Sequence, residues 1–583
     1  MAKQFNNGDT VYAGYPTTHV YDFKRNSSNK LVFTKVKELL WGDWISVRPY
    51  DYRTSNNADI RKASEQAFVD NKIAEIDGTM IQVRVRGRSG YMHLHDVEEN
   101  RLLEVVFVDV GQGDGALMVT PDDKKYVIDA GDRDNMYRYL RWRFAGFSKT
   151  HTDFDGLIIT HPDRDHYNGF NQLIEDPEVE AENIWHNGLM EQFEVGANGQ
   201  QASRPKSTLG QTKIENGRRY ITELIEDDTQ LGDFLSNQDR WIKRSTGRAK
   251  MFPELLNDAF TAKTGTRRRF KNISMLSTQH GEIHNGKAYL PHYGPNNANN
   301  CVIEIVGPVV ENDAQGGKRL RVFNKKPKKK EKNLDKGKTK NGHSILLQVK
   351  YKNVKLFLGG DLNSSAEMFL LDQASNMDVY SEIKNDPQAV VDSVGDTFRC
   401  DVAKACHHGS ADFTNSYLQA VNAVATVISS GDNEKHAHPR SDTLGAIGNF
   451  GRGQRSLIFS TELARSTKEF TDMEETPWGQ AMLLKLAAEK ESDQVKKLEL
   501  LAEAQKLFEI QKTVNVTVYG AINLRTDGEK VVLSYMIESP SETNRWDVYT
   551  LEPDENGVLK YRKADTDSEA SKRRLKLFNE DSQ

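Results

Sequence analysis

Apolar residues in this chain gather into short blocks bounded by glycine, asparagine and charge, a pattern of buried strands more than of long amphipathic helices. Over the first hundred positions, blocks at 31–33, 44–47, 80–85 and 91–94 predict a small β domain over residues 1–100. Turn signals at Asn7-Gly8, Gly42-Asp43 and between Gly87 and Gly90 punctuate it. From Leu103 the texture changes. A nearly continuous apolar strand at 103–110 ends in Gly111-Gln112-Gly113-Asp114-Gly115, and another at 126–128 runs into Asp129-Ala130-Gly131-Asp132. A third, at 156–159, delivers Thr160 and His161.

Polar sequence with candidate helices at 220–235 and 241–260 follows, and strands return at 302–306, 345–349, 354–358, 424–428 and 457–460. A long helix is expected over 478–511, with Leu498, Leu501, Ala504 and Phe508 on an apolar face that would pack against a sheet. Strands at 514–523 and 530–537 flank the turn Thr526-Asp527-Gly528. Short buried strands ending in glycine- and acid-rich loops define a layered α/β protein with its chemistry on loops. The expected organisation is a main α/β domain over 103–465 with insertions at about 187–300 and 321–340. A helix and hairpin over 466–566 would complete or cover it, before a flexible tail at 567–583.

The length of 583 residues accommodates one large core and smaller ones. The polar start and the lack of any long apolar run predict a soluble, cytoplasmic protein with no membrane segment. Three cysteines, Cys301, Cys400 and Cys406, suit a reducing compartment and form no CxxC cluster. A net charge of −5 gives no global nucleic-acid signature, but its distribution is uneven. Between Arg321 and Lys340 stand ten basic residues against two acids, Glu331 and Asp335, which predicts a mobile basic loop. Lesser clusters occur at Lys263, Arg267, Arg268, Arg269 and Lys271, and at Lys572, Arg573, Arg574 and Lys576. Such patches attract polyanions through phosphate contacts, or are simply solvated surface.

The candidate chemistry sits at strand ends. His161-Pro162-Asp163-Arg164-Asp165-His166 places two imidazoles and two carboxylates in six residues directly after an apolar strand, a nitrogen and oxygen donor set suited to zinc, manganese or iron. Asp361 follows the strand at 355–358, and His407 and His408 follow 401–405. Glu434, His436 and His438 come after the strand at 424–428. Donors repeatedly delivered by strand ends can complete one shared site.

Several phrases, in this order, resemble the metallo-β-lactamase fold and within it the ComEC-like branch. They are Val108-Asp109-Val110-Gly111-Gln112-Gly113-Asp114, Asp129-Ala130-Gly131, His161-x-Asp163-x-Asp165-His166, Gly359-Gly360-Asp361, His407-His408-Gly409-Ser410 and His436-x-His438-Pro439. The resemblance covers roughly residues 103–465 and implies an αββα sandwich. It further implies that His161, Asp163, Asp165 and His166 are principal ligands, with Asp165 and His166 at the second of two divalent ions. Asp361 would bridge the ions, and His407 or His408 would be the last imidazole ligand. Asp129, and similarly Asp114, would support the ligands from behind. The residues at 42–47 and 80–94 resemble bacterial SH3-like barrels, which implies a protein-adaptor or substrate-positioning role. Two departures matter. Asp163 stands where histidine is commoner, which makes manganese a rival to zinc, and the usual third-motif histidine is missing at Thr339. His343 or His186 could substitute; if neither does, one of the two ions would be weakly held or absent.

Two ions in such a site would acidify a water for attack on a phosphodiester, with Asp165 among the reacting groups and His436 or His438 protonating the departing oxygen. Tyr167 and Ser410 are candidate substrate contacts. Arg321, Lys325, Lys326, Lys328, Lys329, Lys330 and Lys332 are candidate contacts to a phosphate backbone. The branch is associated with nuclease or phosphodiesterase activity, so a DNA-acting hydrolase is the leading expectation, with roles extending to defence against foreign DNA. The competing expectations are a hydrolase of small phosphodiesters, esters or lactones, and a non-enzymatic interaction protein with a degenerate metal site.

Overall fold

A computed structural model describes residues 5–28, 31–48, 80–85, 88–144, 152–194, 206–242, 250–330, 332–431, 437–453, 455–461, 477–513 and 520–561. The strands Leu103–Phe107, Gly115–Val119, Lys125–Ala130, Thr152–Ile158, Val179–His186 and Phe270–Met275 lie side by side in one mixed sheet. Ile522–Thr526, Val531–Ser541, Asn544–Pro553 and Leu559–Tyr561 extend it beyond Leu103–Phe107. A second mixed sheet runs in the order Glu282–His284, Lys287–Tyr289, Cys301–Gly307, Leu346–Tyr351, Val354–Leu358, Val402–Lys404, Ala425–Ile428 and Leu457–Ser460.

The central strands are buried along their whole length, so both faces of each sheet must be covered. Side chains alternate across a strand. Leu103, Val105 and Phe107 join Ile303, Leu347, Leu356 and Val427 of the second sheet in one shared core. Val106 points the other way, where Leu117, Val119 and Val127 pack on Met136, Leu140, Leu173 and Leu256 from the helices Asn135–Arg143, Phe170–Glu175 and Phe252–Thr261. On the outer face of the second sheet, Leu346, Phe357 and Ala403 meet Phe369, Leu371, Val390 and Tyr417 from Ser364–Ala374, Pro387–Val394 and Asn415–Val421. Each such valine, leucine, isoleucine, methionine or phenylalanine contributes about 1.5–3 kcal/mol when fully buried.

Lys125–Ala130 runs parallel to Thr152–Ile158, and Val354–Leu358, Val402–Lys404 and Ala425–Ile428 run parallel to one another. Loops leaving parallel strands emerge on one edge, where α/β sheets place their ligands. That edge carries the strand-end motifs.

Residues 5–98 supply an antiparallel sheet ordered Leu31–Leu40, Thr17–Arg25, Arg88–His93, Met80–Val85, Trp44–Val47, Thr10–Ala13 and Val97–Glu98, with its own core of Val11, Ile45, Val83 and Met92. It is tied to the main body by Arg525, which is buried. This guanidinium donates to the Trp41 carbonyl (3.0 Å) and pairs with Asp43 (3.2 Å) and Glu104 (3.3 Å). Burial pushes the Glu104 carboxyl up, but Arg525 and Arg143 outweigh it and hold the group down at about 2.

Several expected elements differ, each for a local reason. The helix expected from 220 begins at Asp228, because Asp227 caps it by accepting from the Thr229 and Gln230 amides (both 2.9 Å). The one expected from 241 begins at Phe252, with Pro253 in the first turn. Within 187–300, Phe270–Met275 forms the edge strand of the first sheet, and Glu282–His284 and Lys287–Tyr289 belong to the second. The basic stretch is only partly loop: Lys318–Arg321 is a strand, Val322 and Phe323 are buried, and Lys336–Gly342 is a helix capped by Asp335. The single helix expected at 478–511 is two, Pro477–Lys490 and Gln494–Thr513, packed on each other. Leu498 is 65% exposed and Leu501 38%, so that face does not lie on the sheet. Among the described residues no helix is long and apolar enough to cross a membrane. The tail at 567–583, with the basic cluster Lys572, Arg573, Arg574 and Lys576, lies outside the described residues.

Candidate metal centre

The apolar strand Thr152–Ile158 carries the chain to Thr160 and His161, and a helix of four residues, Arg164–Tyr167, then brings Asp165 and His166 round to the same side. The turn needs small neighbours. A Cβ on Gly169 would stand 2.0 Å from the Ala130 carbonyl oxygen, and one on Gly113, at φ +103°, would stand 1.7 Å from that of Asp165. From the other sheet, Val354–Leu358 leads to Asp361 and Val402–Lys404 to His407 and His408. Those two histidines are both left-handed, at φ 49° and 53°. Holding two non-glycine residues there costs on the order of 1–3 kcal/mol each. Hydrogen bonds from the His407 amide to the Gly360 carbonyl (3.1 Å) and from the Ser410 amide to the His407 carbonyl (2.8 Å) keep them in place.

These donors converge on one oxygen. Asp361 Oδ2 lies 3.2 Å from His408 Nε2, 3.3 Å from His166 Nε2 and 3.9 Å from both His161 Nε2 and His407 Nε2. Asp165 Oδ2 stands 3.6 Å from His408 Nε2. The far nitrogens of His166, His408 and His161 are engaged, whereas Nδ1 of His407 is buried without a hydrogen-bond partner. His166 Nδ1 donates to Asp129 Oδ2 (2.7 Å), and Asp129 in turn accepts from the Thr160 amide (2.8 Å) and hydroxyl (2.6 Å). His408 Nδ1 donates to the Ser429 carbonyl (3.1 Å), and His161 Nδ1 meets the hydroxyls of Thr160 (3.1 Å) and Ser344 (3.3 Å). Holding Nδ1 in this way fixes ring orientation and turns the Nε2 lone pairs inward, as liganding histidines require.

Whether a cation fits is answered by the buried atoms left over. Nε2 of His161, His166 and His408 and Oδ1 of Asp361 are buried with no hydrogen-bond partner, a costly state unless something positive satisfies them. Electrostatics point the same way. Burial lowers the imidazole of His166, but Asp361 and Asp129 outweigh it and raise the group well above its ordinary value. His408 behaves alike through Asp361 and Asp114. Asp361 is pushed up by burial and pulled well below the usual range by His166, His408 and His407. The pocket thus draws positive charge to Asp361. Burial depresses His161, and it depresses His407 to about 4.

Among the described residues, sets of three donors close enough to share one ion draw on His161, Asp165, His166, Asp361, His408, Asp114 and Asp129. Asp163, His407, His186 and His343 join none of them. His343 faces away, its Nε2 donating to the Arg321 carbonyl (2.6 Å) with its ring against Phe323. His186 Nδ1 accepts from the Gly188 amide (3.1 Å), and its ring lies edge-on to Phe252. Neither joins the cluster around Asp361. His438 lies over the cluster, its ring stacked on His408 with centroids 6.2 Å apart; His436 lies outside the described residues. Ser410 is half-buried and its hydroxyl accepts from the Asp412 amide (3.3 Å). Tyr167 is buried, packs on Phe252 and donates to the Lys250 carbonyl (3.3 Å), so its hydroxyl is spent away from the cleft.

The basic residues divide. Lys325, Lys326, Lys328, Lys330 and Lys332 are exposed, and Lys329, exposed too, pairs with Asp378 (2.5 Å). Arg321 is buried over the Phe369 ring and forks onto Glu311, so it is no part of that surface. Arg267, Arg268 and Lys271 are paired with Glu180, Asp228 and Glu182, and Arg269 donates to backbone carbonyls.

Two lysines were missed by sequence reasoning. Lys404 Nζ pairs with Asp114, donates to the Gly360 carbonyl (2.8 Å) and stands 3.9 Å from Asp361 Oδ1. A lysine inside the apolar run Val402–Lys404 was the available signal, since lysine is almost never fully buried without a partner. Lys340 Nζ pairs with Asp163 Oδ1 (2.5 Å) and Glu191 (3.0 Å). It was hidden among its exposed neighbours. No protein-family model matches the chain, and no curated protein matches it.

Proposed function

We propose that the chain is a divalent-metal-dependent hydrolase of the metallo-β-lactamase fold, ComEC-like in its motifs, that cleaves phosphodiester bonds in DNA. The observation carrying this reading is the set of three buried, partnerless Nε2 atoms aimed at Asp361. The order of the motifs and the stacking of two sheets between helices support it. The mixed imidazole and carboxylate donors suit zinc or manganese. A divalent ion bound there supplies Lewis acidity and lowers the pKa of a water it holds.

The chain's own residues do the remainder. Asp129, Ser429, Thr160 and Ser344 hold the imidazoles in register. Lys404 balances the buried charge of Asp114 and Asp361. His438, half-buried above His408, would pass a proton to the departing oxygen. The exposed lysines between 325 and 332 would hold phosphates of a long substrate on approach. The antiparallel domain at the N-terminus, SH3-like in its sequence, would serve to steer the polymer or a protein partner.

The test is cleavage of linear and circular DNA by metal-replete protein, with a small chromogenic phosphodiester in parallel. DNA degradation that stops on chelation and in His161→Ala is expected. Turnover of the small ester with no cleavage of DNA or RNA would refute the nuclease reading.

A further inference from the structure

The missing third-motif histidine and the buried Lys340 belong to one feature. The helix Lys336–Gly342 carries Thr339 where that histidine is expected, and just beyond it presents Lys340 and Asn341 to the ligand loop instead. Lys340 Nζ lies 2.5 Å from Asp163 Oδ1 and 3.0 Å from Glu191, with only 11% of its side chain exposed. The Asn341 carboxamide, turned so that both of its ends are satisfied, donates to Asp163 Oδ2 (2.9 Å) and to the Gly337 carbonyl (2.7 Å). Both oxygens of Asp163 are therefore taken by protein donors. The contrast with its neighbours is sharp, since His161, His166, His408 and Asp361 all keep buried atoms without hydrogen-bond partners.

We infer that the chain holds one divalent ion, on donors drawn from His161, Asp165, His166, Asp361 and His408, and that the Lys340 ammonium takes the place of a second. This rests on the metal-dependent reading above and sharpens it. An ammonium has three donors and no lone pair, so it cannot share a ligand sphere with a cation; it can only repel one. Glu191 supplies the second acceptor that fixes it there. The arrangement keeps a positive charge beside the reacting centre, where a substrate phosphate oxygen can meet it, and it frees Asp163 from a ligand's role.

The test is the number and environment of ions taken up by metal-stripped full-length protein. Titration with manganese should saturate at one equivalent, and the bound ion should give the six-line paramagnetic resonance spectrum of an isolated centre. Two equivalents with a spin-coupled spectrum would overturn the inference while leaving the hydrolase reading intact. No uptake at all would overturn both. Lys340→Gln should admit a second equivalent, and Lys340→Arg should stay at one. A Lys340→Gln protein that still takes only one ion would overturn the role given to the ammonium. The wild-type spectrum decides the stoichiometry even if a variant folds poorly.

Discussion

Asp129→Asn isolates the effect of holding a ligand from behind. Asp129 is left-handed at φ +54°, a conformation that asparagine tolerates and most residues do not, so the backbone has no reason to move. Its carboxylate accepts from the Thr160 amide at 2.8 Å and from His166 Nδ1 at 2.7 Å. An asparagine that keeps the Thr160 contact through its oxygen turns its NH2 toward His166 Nδ1. That imidazole must then accept at Nδ1 and carry its proton on Nε2, the atom 3.3 Å from Asp361 that faces the ion. Loss of such a partner typically costs 10–100-fold in metal affinity, about 1.4–2.7 kcal/mol. Competition against a chelator of known affinity measures it, with circular dichroism to verify the fold. An affinity within twofold of wild type would refute the orientation argument.

Other consequences can be measured independently. In the metal-free protein His166 and His408 are raised well above their ordinary values, so they hold protons that a metal must displace. Metal affinity should rise with pH, with proton release seen as a dependence of binding heat on buffer ionisation enthalpy; equal heats in all buffers would contradict this. The same two groups stabilise the metal-free fold fully below an imidazole's ordinary value and lose that contribution as pH rises through their raised folded values. Glu367, buried on the helix Ser364–Ala374, is pushed up by burial to about 8, against lowering by Thr414. A carboxyl raised in this way costs stability as pH climbs from its unfolded value toward its folded one. Glu367→Gln should therefore remove about 3 kcal/mol of pH-dependent loss between roughly pH 5 and 8, read by urea denaturation. Parallel wild-type and variant curves would refute it. Replacing Lys325, Lys326, Lys328 and Lys330 with alanine should lower the slope of log affinity for duplex DNA against log salt by up to about 3.6, leaving small-ester turnover intact. Equal loss of both would mean that the stretch is structural.

The strands and the strand-end motifs were legible because a buried strand must be apolar and the groups it delivers must be polar. That contrast survives in one dimension at His161, Asp361 and His408. Helix starts were less legible, since Asp227 and Pro253 set them by hydrogen bonding and ring geometry and not by periodicity. His343 and His186 misled because a histidine in a plausible phrase says nothing of where its ring points; Arg321 and Phe252 decided that. Arg321 and Lys340 were lost in a charged run, where composition alone cannot separate a paired, buried cation from a solvated one.

If the Asp361 cluster is a metal-dependent hydrolytic site, the rate of DNA cleavage as manganese is titrated into metal-free wild type and Asp361→Ala will reveal it. The rate should saturate with metal in the wild type and be lost in a variant that remains folded. Cleavage by Asp361→Ala at the wild-type rate, or none by the wild type at any metal concentration, would contradict it.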